Sequence, residues 1–456
     1  MESQQSKGNE MMKELFAKIE NGDAKIGIIG LGYTGLPLAL IFAKKFQVVG
    51  YDKNEKIANA LLKGESHIKD VKNKELRNYL NKTFFPTNNH KELKKCDFII
   101  ICVPTPLTKE KEPDLSYIKS ACETICKVLR KGHFIILEST TYPGTTEEIL
   151  VPILERSGLK AGMDFGVAYS PERIDPGSSH KVENIPKIVA GVSQECTDVV
   201  AKLYECVIDA GVVKVKDCKS AEATKIFENI FRDVNIALVN EFALICERMG
   251  INVWDVIEAA ATKPFGFMPF YPGPGVGGHC IPLDPYYMSY KAKKFGFIPR
   301  FIELSGEIND FMRIHAVNLA EYGLSKVGLS IRGSTIAVIG LAYKKDIDDV
   351  RESPAKKIVE EIVIGNGIVK VYDPYVKSIE TECGKFLSTK NLEEALSDAD
   401  CAIFVTDHTA IKNNNLNELV KCMRHPIIID CKNIFDDTKA DNFIYFGIGK
   451  PTNRGG

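Results

Sequence analysis

Short runs of apolar, β-branched residues alternate with longer stretches of helical spacing along most of this chain. The first run, Lys25–Ile29, leads into Gly30-Leu31-Gly32-Tyr33-Thr34-Gly35 and then a helical pattern from Leu36 to Lys45. A second strand is expected at Gln47–Tyr51, ending at Asp52. Cys96–Val103 is apolar without alternation, which marks a strand buried on both faces. His133–Leu137 and Gly166–Tyr169 read as two more. Strands separated by helical stretches predict a parallel sheet with crossover helices.

The C-terminal part repeats the scheme. Thr335–Ile339 runs into Gly340-Leu341-Ala342-Tyr343, Val369–Tyr372 ends at Asp373, and Asp400–Val405 parallels Asp97–Val103. Between the copies, Ser220–Gly250 has helical spacing and no proline, long enough for a spine helix whose apolar residues cover both domains and a partner subunit. The expected fold is α/β, with two Rossmann-like doubly wound domains joined by a long central helix. The expected divisions are a polar N-terminal extension over 1–24, a dinucleotide domain over 25–215, a central helical segment over 216–320 and a second Rossmann-like domain over 321–456. Ala342 replaces the second glycine of the turn, so close approach to a diphosphate is expected only in the first copy.

Composition narrows the function. At 456 residues the chain exceeds one ordinary core, and 45% hydrophobic with 26% charged residues is ordinary for a globular protein. Lys plus Arg is 59 against 60 for Asp plus Glu, so the basic excess of a nucleic-acid or acidic-membrane binder is missing. The N-terminus has no signal-peptide core, and no run reaches the ~20 apolar residues of a membrane helix. The 13 cysteines are odd in number and contain no CxxC pair, which argues against structural zinc and for reduced thiols. A cytoplasmic protein without a metal is expected.

Candidate chemistry lies at the turns. Gly30-x-Gly32-x-x-Gly35 follows a strand, opens a helix and precedes an acid about 20 residues on, the context that gives this weak motif meaning. Asp52 accepts both ribose hydroxyls and repels a 2′-phosphate in that reading, favouring NAD; a turn serving packing alone is the alternative. Pro272-Gly-Pro-Gly-Val-Gly-Gly-His279-Cys280 is a rigid, side-chain-poor loop before a cysteine. Cys280 is either a nucleophile or a structural thiol, and His279 is discounted as its partner because adjacent side chains seldom face each other. Lys225 and Asn229 share a helix face, as a pocket pair or as solvated surface. Glu172 and Arg173 follow a strand end. Lys344, Lys345 and Arg351 follow the second turn, as diphosphate ligands or as a solvated basic loop.

Taken together these motifs resemble the UDP-glucose/GDP-mannose dehydrogenase family. The markers are Gly30–Pro37, Glu138-Ser-Thr-Thr-Tyr-Pro-Gly144, Gly277-Gly-His-Cys280 with Asp284, and Lys344–Pro354. The resemblance implies an N-terminal NAD domain, a homodimer through the central helix and a C-terminal UDP-sugar domain. It implies oxidation of a sugar C6 alcohol to a carboxylate in two hydride transfers to NAD, for surface polysaccharide or glycan precursors. Cys280 is the implied nucleophile, forming a thiohemiacetal and then a thioester. Lys225 and Asn229 match the pair at the C6 oxyanion, Thr140 and Glu172 the positions that handle water, and Asp284 the acid four residues after the nucleophile. Gly30, Gly32, Tyr33, Gly35, Asp52, Thr105, Thr140 and Arg351 fall on the NAD side. Glu172, Arg173, Lys225, Asn229, Arg232, Lys344 and the loop residues Tyr271, Gly273, Gly275 and Gly277 fall on the sugar-nucleotide side.

Two positions depart from the pattern: Pro176 stands where many UDP-glucose members carry a second glutamate, and Lys432 where arginine is common. Ser170–Gly177 and Phe270–Pro285 look like the branch acting on UDP-N-acetylhexosamines, most like those that act on UDP-N-acetylglucosamine. UDP-N-acetylmannosamine and UDP-glucose remain alternatives. Outside this class stand a nucleotide-binding regulator without turnover and a two-electron hydroxy-acid dehydrogenase.

Overall fold

The apolar runs form two separate, mainly parallel sheets, one in each of the two units into which the chain divides: Met1–Glu228 with Tyr286–Phe297, and Asn229–Pro285 with Ile298–Gly456. The computed structural model describes residues 2–68, 71–108, 110–174, 181–435 and 443–451.

In the first unit the strands are β1 (Lys25–Ile29), β2 (Gln47–Tyr51), β3 (Phe84–Thr87), β4 (Phe98–Ile101), β5 (Phe134–Leu137), β6 (Gly166–Tyr169), β7 (Lys187–Gly191) and β8 (Val212–Lys214). Their order is β3-β2-β1-β4-β5-β6-β7-β8. The first six give the doubly wound dinucleotide order, and only β6 and β7 run antiparallel. Every residue of β4 and β5 is buried, which explains their unbroken apolar runs. Sequence pattern missed β3, because Pro86 interrupts it; the proline is tolerated because β3 is the sheet edge. It missed β8 because that strand is short and largely exposed.

The N-terminal segment is more than a polar extension. It forms the helix Glu2–Asn21, and Met12, Leu15 and Ile19 join the core of the first unit beside the helix Gln194–Glu205. Lys18 donates to the buried carboxylate of Asp97 at 2.6 Å, and Asp97 also accepts the Lys25 N–H.

In the second unit β9 (Thr335–Ile339), β10 (Ile368–Tyr372), β13 (Cys401–Phe404), β14 (Ile427–Asp430) and β15 (Ile444–Gly447) form a parallel sheet, ordered β10-β9-β13-β14-β15. An antiparallel hairpin, β11 (Ser378–Thr381) and β12 (Gly384–Leu387), stands apart from it. Counted without the hairpin the order is 2-1-3-4-5, the other common doubly wound plan, so the two copies are related but not equivalent. The spine helix runs from Cys218 to Met249, passes from one unit into the other, and stops where Gly250 turns to φ +71°. The expected boundary at 320 falls inside the helix Arg300–Ser325.

If the N-terminal helix is part of the core, Leu15→Ala lowers unfolding free energy by about 2–4 kcal/mol in urea. Glu14→Ala on its exposed side changes it by less than about 0.5 kcal/mol. Equal small effects would show the helix to be dispensable.

Candidate active site

The three glycines of the first turn serve different needs. Gly30 has φ +88°, and a Cβ there would meet the Cys102 carbonyl oxygen at 2.7 Å. A Cβ on Gly35 would lie 1.8 Å from the Gly30 carbonyl oxygen, so the helix can follow the strand this closely only with glycine. Neither reason applies to Gly32, where an added Cβ would meet nothing within 4 Å. Packing explains two of the three and leaves Gly32 without a packing reason. Asp52, at the end of β2, fixes the turn by accepting the N–H groups of Leu31 and Asn54 at 2.9 and 2.8 Å. Tyr33, within the same turn, is 49% exposed.

Other first-unit candidates stand just past strand ends. Thr105 is buried after β4, its carbonyl accepting the Tyr287 hydroxyl at 2.7 Å. Thr140 is half-buried after β5. Glu172 follows β6: one carboxylate oxygen accepts the backbone N–H groups of Arg173 and Ile174, both at 2.7 Å, and the other lies 3.5 Å from the Lys187 ammonium. Burial raises the Glu172 pKa, but Lys187, these N–H groups and Lys225 outweigh it and hold the carboxyl below its ordinary range. Arg173 has its guanidinium engaged by Glu228 at 2.6 Å and the Pro186 carbonyl at 2.8 Å, a structural tie to the spine helix. Pro176 lies outside the described residues.

Sequence reading missed the buried acids behind these groups. Glu138 ends β5 fully buried, accepts the Tyr204 hydroxyl at 2.6 Å and lies 2.7 Å from Lys187. Its sequence signals are a charge closing the apolar run Phe-Ile-Ile-Leu and its place at the head of the Glu138–Gly144 marker, neither of which reveals the buried partners. Glu222 lies three residues before Lys225 on the spine helix. Its carboxylate accepts the Gly144 N–H at 2.5 Å, the Thr146 N–H at 2.8 Å and the Thr146 hydroxyl at 2.7 Å, anchoring the loop after Thr140. Burial pushes its pKa up to about 7.

In the second unit, Asn229 donates its side-chain N–H to Asp284 at 2.5 Å, and the Cys280 carbonyl accepts the N–H of Asp284 at 2.8 Å. Cys280, Asn229 and Asp284 thus form one cluster where the helix Asp284–Lys294 begins. Cys280 is half-buried, while eight other cysteines are buried; Cys96 and Cys122 are pushed up to about 12 by burial. His279 is lowered by burial and then by Arg351, which keeps it neutral.

The loop before Cys280 is pinned by a buried polar chain. The Gly273 N–H donates to Asn240, Asn240 to Asn309, and Asn309 to Asp233, which also accepts the Ser305 hydroxyl. Arg313 donates to the Val276 carbonyl at 2.9 Å. Glycine is required at two of these positions, since a Cβ on Gly275 would meet the Asn309 carbonyl oxygen and on Gly277 the Glu352 carbonyl oxygen; a Cβ on Gly273 would meet the Lys432 ammonium. Lys432 is lowered by burial, with Asp407 opposing. Tyr271 stacks on Trp254 with ring centroids 5.8 Å apart. Arg232 is exposed on the spine helix.

The second glycine turn has closed on itself. Asp373, the counterpart of Asp52, accepts the N–H groups of Leu341 and Ala342, and His408 Nε2 lies 2.9 Å from it. Because His408 Nδ1 accepts the Asp346 N–H, Nε2 carries the proton given to Asp373. The Thr406 hydroxyl holds the Ala342 carbonyl at 2.6 Å. Beyond this turn, Lys344 is half-buried, Lys345 is exposed, and Arg351 pairs with Asp349 at 2.6 Å. Among the described residues no group of three or more His, Cys, Asp or Glu side chains is placed to hold a metal, and no helix is long and apolar enough to cross a membrane.

Three family models match in chain order, all of the UDP-glucose/GDP-mannose dehydrogenase family: the NAD binding domain over residues 24–208, the central domain over 219–311 and the UDP binding domain over 337–437. The chain is 40% identical to UDP-N-acetyl-D-glucosamine 6-dehydrogenase of Pseudomonas aeruginosa, covering 92% of this chain and 99% of that one. It is 39% identical to UDP-N-acetyl-D-mannosamine dehydrogenase of Pyrococcus horikoshii, covering 93% and 99%. The solved structure of the UDP-D-ManNAc dehydrogenase from Pyrococcus horikoshii superposes with TM-score 0.87 at 38% identity, covering 93% of this chain and 99% of that one.

Glu222 has a stability consequence of definite sign. Because its folded pKa is raised, to about 7, its contribution is full below the ordinary carboxylate range and falls as pH climbs through 7. At about 1.4 kcal/mol for each pH unit, the loss is of order 3 kcal/mol between about pH 4.5 and 7. Urea unfolding at pH 5 to 8 is expected to show this decline in the wild type and a flatter profile in Glu222→Gln. Parallel profiles would contradict it.

Proposed function

The chain belongs to the UDP-glucose/GDP-mannose dehydrogenase family, an NAD-dependent nucleotide-sugar dehydrogenase, and from that premise we propose that it oxidises the C6 alcohol of UDP-N-acetylglucosamine to the uronate. The observation carrying the catalytic reading is the Cys280–Asn229–Asp284 cluster on a glycine loop that leaves its thiol half-buried. A binder without turnover has no need of an amide oriented by the acid whose N–H caps the Cys280 carbonyl.

NAD supplies the hydride acceptor in each of the two oxidations. Gly32, open on its Cα side, and Asp52, at the β2 end, are the residues assigned to hold it, with Gly30, Tyr33, Gly35, Thr105 and Arg351. In the proposed sequence the Cys280 sulfur adds to the C6 aldehyde, giving a thiohemiacetal and, after the second oxidation, a thioester. Lys225 and Asn229 stabilise the oxyanion at C6, and Asp284 keeps the Asn229 amide turned by accepting its N–H. Glu172, held ionised, takes a proton from the hydrolytic water, which Thr140 positions. Lys344, Lys432 and residues 271–277 are assigned to the sugar nucleotide. Arg173 and Arg232 are outer contributors in this reading, one tied to Glu228 and the other exposed.

The acetamido sugar is proposed because relatives named for N-acetylated substrates match almost end to end. Relatives named for the two epimers differ by one percentage point in identity, so UDP-N-acetylmannosamine is the second substrate to test. A homodimer through the spine helix is proposed from Phe231, Leu238, Phe242, Ile245 and Met249, which stand 40–66% exposed at helical spacing on its length. Unpaired cysteines throughout fit a reducing cytoplasm.

With a panel of UDP-sugars, two NADH per UDP-N-acetylglucosamine are expected, and none of the carboxylate from Cys280→Ala. One NADH per sugar, or full carboxylate at the wild-type rate from that variant, would end the thioester reading. Asp52→Ala is expected to weaken the preference for NAD over NADP by about ten- to a hundredfold, the value of a charged hydrogen bond. An unchanged preference would remove Asp52 from the ribose.

A further inference from the structure

Lys187 opens β7 and is buried, its side chain 4% exposed, between two acids from neighbouring strand ends. Its ammonium lies 2.7 Å from Glu138 and 3.5 Å from Glu172. The same Glu138 oxygen that faces Lys187 also accepts the Tyr204 hydroxyl at 2.6 Å. A lysine placed so deep is costly unless paired, and here it is paired twice. We propose that Lys187 is a positioning residue for the hydrolytic step: bridged to Glu138, it fixes the Glu172 carboxylate and keeps it charged. The proposal rests on the assignment of Glu172 to the hydrolytic water.

The geometry leaves Glu172 little freedom. Its first oxygen is consumed by two backbone N–H groups, so only the oxygen facing Lys187 remains for water. The groups around the cluster are few. Lys187 and Lys225 are the cations acting on Glu172. Glu138 is the opposing anion, its own pKa raised by burial. Arg173 is turned to Glu228. Tyr204 and Cys102 are neutral, since burial and then Glu138 push both well above their ordinary values. Removing Lys187 therefore takes away the largest influence opposing burial of the Glu172 charge.

In the hydrolysis, the water oxygen bonds to C6, a water proton passes to Glu172, and the C6–Sγ bond breaks to return the Cys280 thiolate. The step needs Glu172 ionised, so its rate falls on the acid side at the Glu172 pKa. The test is rapid-quench decay of the Cys280 acyl adduct formed from UDP-N-acetylglucosamine and NAD, followed against pH. In Lys187→Met the acid limb is expected to move up by about one to three pH units, the effect of losing a close opposite charge. Lys187→Arg is expected to restore it, and KM for the sugar nucleotide to stay put. A folded Lys187→Met with an unmoved limb would overturn the proposal and leave the lysine a stabilising pair only.

If Lys187→Met does not fold, Glu138→Gln decides. Removing the competing anion is expected to leave the limb in place or move it to lower pH, and an upward move would overturn the proposal. Glu172→Gln separates the two ideas. Wild-type decay in that variant would remove Glu172 itself from hydrolysis. Lost decay there, with an unmoved limb in Lys187→Met, would remove only Lys187.

Discussion

A parallel sheet covered on both faces has no place for charge along its strands, and that constraint distributes everything else in this protein. β4, β5, β6, β13 and β14 are buried from end to end. Polar side chains are therefore pushed to the strand ends, where N–H groups and other charges can receive them. Asp52, Thr105, Glu138, Thr140 and Glu172 follow four strands of the first unit, and Asp373 and Lys432 follow two of the second. The candidate chemistry sits at the carboxyl ends because nowhere else in the sheets can hold it.

The two glycine turns show how small a change redirects that edge. Both place an aspartate at the end of the adjacent strand to accept turn N–H groups. In the first, Gly32 leaves space and Asp52 stays partly exposed. In the second, Ala342 is buried, and His408 and Thr406 fill the edge from the other side. With the Leu341 and Ala342 N–H groups given to Asp373, two donors of that turn are already taken.

Much of this was legible in the sequence because it depends on local pattern. Strand β1, the first glycine turn and the spine helix follow from β-branched runs, glycine spacing and the absence of proline within the helix. Cys280 stands out because four glycines and two prolines precede it. The supporting groups were not legible, since each is defined by distant partners. Lys187 reads as an ordinary strand-edge lysine until Glu138 and Glu172, 49 and 15 residues earlier, close around it. Asn240, Asn309 and Asp233 look like polar interruptions in amphipathic helices, yet together they anchor the loop before the thiol. The N-terminal helix was under-read because its apolar positions, Met12, Leu15 and Ile19, are sparse among charges.

In the proposed reaction, one half-buried cysteine on a rigid loop carries the sugar through its second oxidation. Intact-mass analysis of Glu172→Gln, acid-quenched after mixing with UDP-N-acetylglucosamine and NAD, tests it most directly. A stable adduct of the sugar-nucleotide acyl group is expected, mapping by peptide to Cys280 and absent from Cys280→Ala. NADH formation with no covalent mass on the protein would contradict it.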